Sequence, residues 1–333
     1  MKYWQLITKN SLKLATVSGR QPVDREIRVK VDKVLLTPSD LLIYDERVAH
    51  SYPFIPGRFA IGTVCEGYGV DEKGDSSFQY HFKRNEKVIL RSFYRDEEKR
   101  PTTLGVHHHG LMRDFVYVKQ DEIFHIPPSV KEEDALFMGL VAIAEGVIEE
   151  SRAEEGDFVL VCGEDTMSLI ICQLLLYYKI VPVLITSSAE KVKAAKSLGI
   201  FYAYETSESL EENVFRITGG KYCNSAIYCN SMNRTSPSVA IGLVEHAANV
   251  VFAGTPDRSW PIDSALLAGK SLTISGIYSG FGYEHTALGI LANHVIDFSK
   301  IDKTYENFDT VNASYERFAQ SDEKYHVEIV KIG

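Results

Sequence analysis

Hydrophobic residues in the first third of the chain come in short runs that alternate with polar ones. Examples are Glu26-Ile-Arg-Val-Lys-Val31, Ile61-Gly-Thr-Val-Cys-Glu66, Lys87-Val-Ile-Leu90 and Phe115-Val-Tyr-Val118. Period-two alternation puts every second side chain on one face, the signature of half-buried strands. Pro53, Pro56, Gly57, Gly67, Gly69 and Gly74 punctuate the runs as turn residues. Residues 1 to about 120 are therefore expected to form a small β-rich domain. At Pro127-Pro128-Ser129 the pattern breaks, and Glu132-Glu133-Asp134 opens a helix expected from about 132 to 152. Leu136, Phe137, Leu140, Val141, Ala144, Val147 and Ile148 recur there at helical spacing.

From Gly156 strands alternate with helices. Strands are expected at Val159 to Cys162, Val181 to Ile185, Ala226 to Cys229 and Val250 to Ala253. Helices are expected at Met167 to Tyr178, Glu190 to Leu198 and Val239 to Ala248. Short, continuously apolar strands between helices imply a parallel sheet covered on both faces. From Ser271 strand and helix signals return, and the run Val327-Glu-Ile-Val-Lys-Ile332 is expected to rejoin the first domain.

Composition narrows the field of partners. The 333 residues suit two domains, and 45% hydrophobic and 24% charged residues suit globular cores. A net charge of -9 argues against nucleic acid or an anionic membrane as a partner, since both call for clustered Lys and Arg. No stretch has signal-peptide or membrane-span character, and the five cysteines read as reduced, packed thiols. A cytoplasmic protein is expected.

The first candidate for chemistry is Phe158-Val-Leu-Val-Cys-Gly-Glu-Asp-Thr-Met-Ser168, where a strand runs into a helix. A dinucleotide pyrophosphate at such a junction calls for Gly-x-Gly-x-x-Gly, and only Gly163 is present. Asp165 and Ser168 hold the other two places, with Glu164 alongside. Two carboxylates there repel a pyrophosphate, although acids also suit a helix N-terminus with no ligand.

The order of these pieces resembles the medium-chain dehydrogenase/reductase superfamily, the alcohol dehydrogenase and quinone reductase group. Thr37-Pro-Ser-Asp40-Leu-Leu-Ile-Tyr44 is similar to its Cys-Gly-Thr-Asp-Leu-His-Ile-Tyr segment. Pro53-Phe-Ile-Pro-Gly57-Arg58-Phe59-Ala-Ile-Gly62-Thr-Val64 is similar to Pro-x-Ile-x-Gly-His-Glu-x-x-Gly-x-Val. Gly110-Leu-Met-Arg-Asp-Phe-Val116, Ser188-Ala-Glu-Lys191, Val250-Val-Phe-Ala-Gly254 and Leu272-Thr-Ile-Ser-Gly276 continue the match in order. The resemblance implies an α/β protein: a GroES-like β-rich domain (1–125 plus 271–333) with an inserted doubly wound Rossmann domain (126–270).

The same resemblance implies an NADP(H)-dependent oxidoreductase that reduces a small carbonyl or activated alkene in an inter-domain cleft, as a homodimer or homotetramer. Its departures bear on the metal. Thr37, Arg58 and Phe59 stand where zinc-dependent relatives place Cys, His and an acid. Met138 and Gly139 fall near the fourth ligand, and the four-cysteine lobe is missing between residues 90 and 110, so no zinc is expected. Ser39, Arg58, Tyr44 and Asp40 are the implied catalytic residues; Arg58 could instead form a salt bridge with Asp40 or a neighbouring acid. Gly163, Asp165, Thr166, Met167, Gly254 and Gly276 are implied at the cofactor. Thr186, Ser187 and Lys191 resemble a pattern that takes a 2′-phosphate, while Ser188 also suits a helix cap. His107-His108-His109 reads as a polar loop, or supplies one proton donor. The alternative reading is a member without redox activity, its dinucleotide site degenerate, acting as a non-redox enzyme or a binding subunit.

Overall fold

Alternating burial makes Glu26–Leu36 the spine of a seven-stranded sheet, with Ile27, Val29 and Val31 inward. The computed structural model describes residues 1–23, 26–48, 50–67, 82–207, 209–229, 235–255, 259, 261–320 and 324–333. Gly69 and Gly74, read above as turn residues, lie outside the described residues. Two compact units emerge: Met1–Met138 with Lys303–Ala319 and Glu328–Gly333, and Gly139–Asp302 with Gln320–Val327.

In the first unit Glu26–Leu36 pairs antiparallel with Phe59–Gly67, Phe115–Lys119 and, as expected, the last strand His326–Lys331. Two register shifts along Glu26–Leu36 bend this sheet. A short helix, Pro38–Tyr44, follows directly. The Asp40 carboxylate reaches back to the Thr37 amide at 2.8 Å and its hydroxyl at 2.9 Å, and Pro38 occupies the first turn. Where the resemblance expects the four-cysteine lobe, a small hairpin pairs Phe93–Arg95 with Pro101–Thr103.

The second unit is a six-stranded parallel sheet. In chain order its strands are β1 (Phe158–Cys162), β2 (Val181–Thr186), β3 (Tyr202–Glu205), β4 (Cys223–Cys229), β5 (Val244–Ala253) and β6 (Thr273–Ile277). Their order in space is β3-β2-β1-β4-β5-β6, the doubly wound arrangement with its switch point between β1 and β4. Helix α1 (Thr166–Tyr177) leaves β1 and is buried from Thr166 to Leu175, and α2 (Ala189–Ser197) leaves β2.

Three expectations need correction. The helix expected at Val239 to Ala248 is only Pro237–Gly242, and β5 begins at Val244. Lys270 explains the early stop, since its Nζ bonds the carbonyls of Gly242 and Val244, each at 2.7 Å, and so caps the helix end. The helix expected from 132 to 152 is two, Glu132–Ala135 and Met138–Ser151. The stretch 271–302, assigned above to the β-rich domain, packs in the second unit because β6 pairs parallel with β5. Tyr202–Glu205 and Leu210–Ile217 form a strand and a helix that periodicity alone left unread.

Candidate active and cofactor sites

In the second unit the loop from β1 to α1 is built around its two carboxylates. Gly163 must be glycine, because a Cβ there would meet Ser168 Cβ at 2.3 Å. Asp165 caps α1 by accepting the Ser168 amide at 3.2 Å. Glu164 crosses to the end of β2, where it accepts Thr186 Oγ1 at 2.7 Å and the Ser187 amide at 2.8 Å. Lys191 Nζ lies 3.3 Å from the same carboxylate, and both side chains are almost fully buried. Tyr325, 1% exposed, places its ring 6.0 Å from that ammonium.

These contacts redirect the 2′-phosphate expectation. Lys191 is committed to Glu164, so it does not wait as a free cation for a phosphate, and Thr186 is wholly buried and turned to the same carboxylate. The register of β1 against β2 sets Cys162 opposite Ile185, which two residues further on brings Glu164 beside Ser187. That parallel pairing is the signal by which the Glu164 role could have been found. Met167 is buried, Gly254 follows β5 with a positive φ of 79°, and Gly276 lies exposed on the outer strand β6. With strands about 4.8 Å apart, Gly276 is roughly 14 Å from β1.

A dinucleotide can be tested against this loop by its donors. The amides of Thr166 and Met167 open α1 ahead of any intrahelical partner. Thr166 Oγ1 is buried without a hydrogen-bond partner, a donor left for a ligand oxygen. Asp165 is the discordant group. Burial pushes its carboxyl up to about 6, with Glu164 adding to the rise and Lys191 and the Ser168 amide opposing it. The donors of the loop thus fit a pyrophosphate, which Asp165 opposes where it is ionised, above about pH 6.

The first unit gathers a different cluster. Arg58 is 2% exposed, and no carboxylate lies within ion-pair distance among the described residues. Its Nε has no partner, its guanidinium stands 4.9 Å over the Phe59 ring, and its carbonyl accepts Ser92 Oγ at 2.5 Å. Burial pushes the guanidinium down, and the charge of nearby Asp40 only partly offsets this. Asp40 is buried too; burial raises its carboxyl, against the pull of Arg58 and Thr37, and its Oδ1 is unpartnered. Ser39 is buried beside it on the same helix. The alternative of an Arg58–Asp40 salt bridge is thus met by proximity but not by contact.

Tyr44 stands apart from this cluster. Its hydroxyl donates to the Asn10 carbonyl at 3.0 Å, and its ring stacks on Tyr315 at 4.7 Å. Two buried hydroxyls that sequence reasoning missed, Thr103 and Tyr315, carry no partner. Thr103 donates its amide to His107 Nδ1 at 3.1 Å, and burial, then His108 and Arg58, lowers the His107 imidazole. The three histidines do not converge; among the described residues no group of three His, Cys, Asp or Glu could hold a metal.

The sites can now be set beside known proteins. The profile of the alcohol dehydrogenase GroES-like domain matches residues 23–128. Galactitol 1-phosphate 5-dehydrogenase of Escherichia coli K12 is 25% identical over 268 residues, covering 77% of this chain and 76% of that protein. An uncharacterized zinc-type alcohol dehydrogenase-like protein of Haemophilus influenzae is 19% identical over 331 residues, 95% of this chain and 94% of that one. A structure described as a short chain alcohol dehydrogenase from E. coli CFT073, complexed with cofactor NADH, matches with a TM-score of 0.83. It is 22% identical and covers 100% of this chain and 99% of that chain, a likeness of fold. A GroES-like domain joined to a doubly wound parallel sheet is the architecture of one class of dehydrogenases. Residues 23–128 match the alcohol dehydrogenase GroES-like domain, and the chain as a whole shares the fold of that class.

Proposed function

We propose that the chain is a nicotinamide-dinucleotide-dependent oxidoreductase that reduces a small carbonyl or activated alkene without zinc, with Arg58 in the metal's electrostatic role. The observation that carries this reading is Arg58 itself, a buried cation with no acceptor among the described residues, at a place where zinc-dependent relatives hold a ligand. A buried guanidinium that Asp40 only partly compensates is costly to the fold, and a ligand oxygen that gains negative charge relieves it. Gly163, Thr166 and Met167 would hold a dinucleotide, which supplies hydride when bound. Arg58 steadies the charge on the substrate oxygen. Asp40, whose carboxyl burial raises against the pull of Arg58 and Thr37, has its Oδ1 unpartnered among the described residues and is the proposed proton carrier for that oxygen, with Ser39 beside it. NADH is expected to bind at least as tightly as NADPH, since Lys191 is taken by Glu164.

Steady-state reduction of small ketones and enones by NADH tests the reading, with cofactor affinity measured separately by fluorescence. Arg58→Met is expected to lower kcat by about 10²–10³ while leaving NADH affinity in place. Unchanged turnover, or activity that a chelator abolishes and zinc restores, would sink it. A second reading, a member without redox chemistry, draws on the carboxylates and Tyr325 packed at the phosphate loop. No NADH binding at millimolar concentration would favour it.

A further inference from the structure

The first unit holds a cavity of about 560 Å³ bordered by the hairpin Phe93–Arg95/Pro101–Thr103 and the strand Phe115–Lys119. That volume lies within the range of small-molecule pockets. Ser39, Asp40 and Arg58 do not line it. Its walls are largely apolar and aromatic, with Leu104, Leu111, Val116, Tyr94 and Tyr117.

Arg113 lines the same cavity, and among the described residues no carboxylate pairs with it. Its Nε donates to the Gly110 carbonyl at 2.9 Å, which fixes the plane of the guanidinium. The two terminal nitrogens have no acceptor among the described residues, and no carboxylate pairs with them. Burial pushes the group down to about 10, opposed only by Tyr3. A second polar group is also unsatisfied: Thr102 Oγ1 is buried on the cavity wall with no partner among the described residues. His109 lines the cavity as well, and its Nδ1 accepts the Ile55 amide at 3.3 Å, so the neutral ring keeps its proton on Nε2.

A fixed guanidinium with two free nitrogens matches a carboxylate, which it can engage with two parallel hydrogen bonds. The border of the cavity limits the charge that can enter. Asp96, Glu97 and Glu122 stand there, Asp96 held by Arg100 at 2.8 Å and Glu122 by the Lys119 amide at 2.6 Å. Arg95, also on the border, is exposed. Three carboxylates disfavour a dianion, while the apolar wall calls for a hydrophobic body.

We propose that this cavity is a binding site for a small monoanionic carboxylate with an apolar or aromatic body, its carboxylate on Arg113. Thr102 and His109 are further donors for its oxygens, and Leu104, Leu111 and Val116 cover the body. The site does not depend on the redox reading, since it uses none of the residues assigned to that chemistry.

Calorimetric titration of the full chain with benzoate tests the site, with benzyl alcohol as the neutral isostere and inorganic phosphate as the compact anion. Benzoate is expected to bind one to one, with benzyl alcohol and phosphate each about tenfold weaker or worse. Arg113→Gln is expected to lose about tenfold or more in benzoate affinity, and Arg113→Lys to keep part of it. The proposal falls if benzoate gives no binding up to about 10 mM, the weak end of specific affinity. It falls equally if Arg113→Gln binds as the parent does, or if phosphate or benzyl alcohol binds as tightly. Should Arg113→Gln fail to fold by circular dichroism, the comparison of the three probes on the parent chain still decides.

Discussion

A residue that chemistry needs and folding resists should show itself as a stability gain when removed, and Arg58 is such a residue. Replacing it with methionine keeps most of the volume and removes a charge that meets no acceptor among the described residues. Arg58→Met is therefore expected to raise the unfolding free energy by about 1–4 kcal/mol in urea titrations. A loss of stability would mean that the guanidinium has a compensating partner and is structural. Asp165 makes a second test through pH. Its carboxyl is raised from 3.8 to about 6, so folding takes up a proton across that interval. Its contribution to stability is therefore greatest below pH 3.8, is lost as pH rises to about 6, and is flat above. Asp165→Asn keeps a capping oxygen and should flatten this slope; an unchanged slope would show that another group titrates. NADH affinity should likewise improve as pH falls through about 6, and the variant should show that tighter binding at pH 7.

The strand-to-helix junctions show how far local sequence could be read. The fall of apolar runs placed β1, β2, α1 and α2 within a residue or two, because each is short, continuous and closed by a turn or cap. What no local pattern reveals is which polar groups meet across strands. Glu164 and Lys191 stand 27 positions apart, yet Lys191 serves Glu164 rather than a ligand. Similarly, Arg58 could be singled out by its place in a motif, but its lack of an acceptor is a property of the packed unit. Tyr44 is near in sequence, but its hydroxyl bonds the Asn10 carbonyl and its ring stacks on Tyr315. The buried pair carries its own prediction. Lys191→Ala leaves Glu164 charged and buried, and should destabilise the fold by about 3–5 kcal/mol in thermal or chemical denaturation. The NADPH to NADH preference should hardly move. A selective loss of NADPH affinity with normal stability would restore Lys191 as a phosphate ligand.

At the scale of the molecule, two units were legible from the change in pattern near residue 127, but the return of the chain was misread. Strand signals after Ser271 look alike whether they close a parallel sheet or a barrel, and only the pairing of β6 with β5 decides. That pairing makes β6 the edge of the six-stranded sheet. An edge strand leaves a row of backbone donors and acceptors open, and proteins usually blunt such an edge with charge or proline. Leu272-Thr-Ile-Ser-Gly-Ile-Tyr278 has neither. A twofold axis beside this edge would pair it with the same strand of a second copy, satisfying both rows through one self-complementary contact. We therefore expect a homodimer joined through β6, or a tetramer built from such dimers. Light scattering at micromolar concentration should give at least twice the 37.4 kDa chain mass. Thr273 is exposed on this strand, so Thr273→Asp sets like charges close together at the seam without entering the core. The variant should shift toward monomer, and its melting temperature should fall on dilution more steeply than that of the parent. A monomer mass for the parent chain would end the idea, and a dimer that Thr273→Asp leaves intact would place the contact elsewhere.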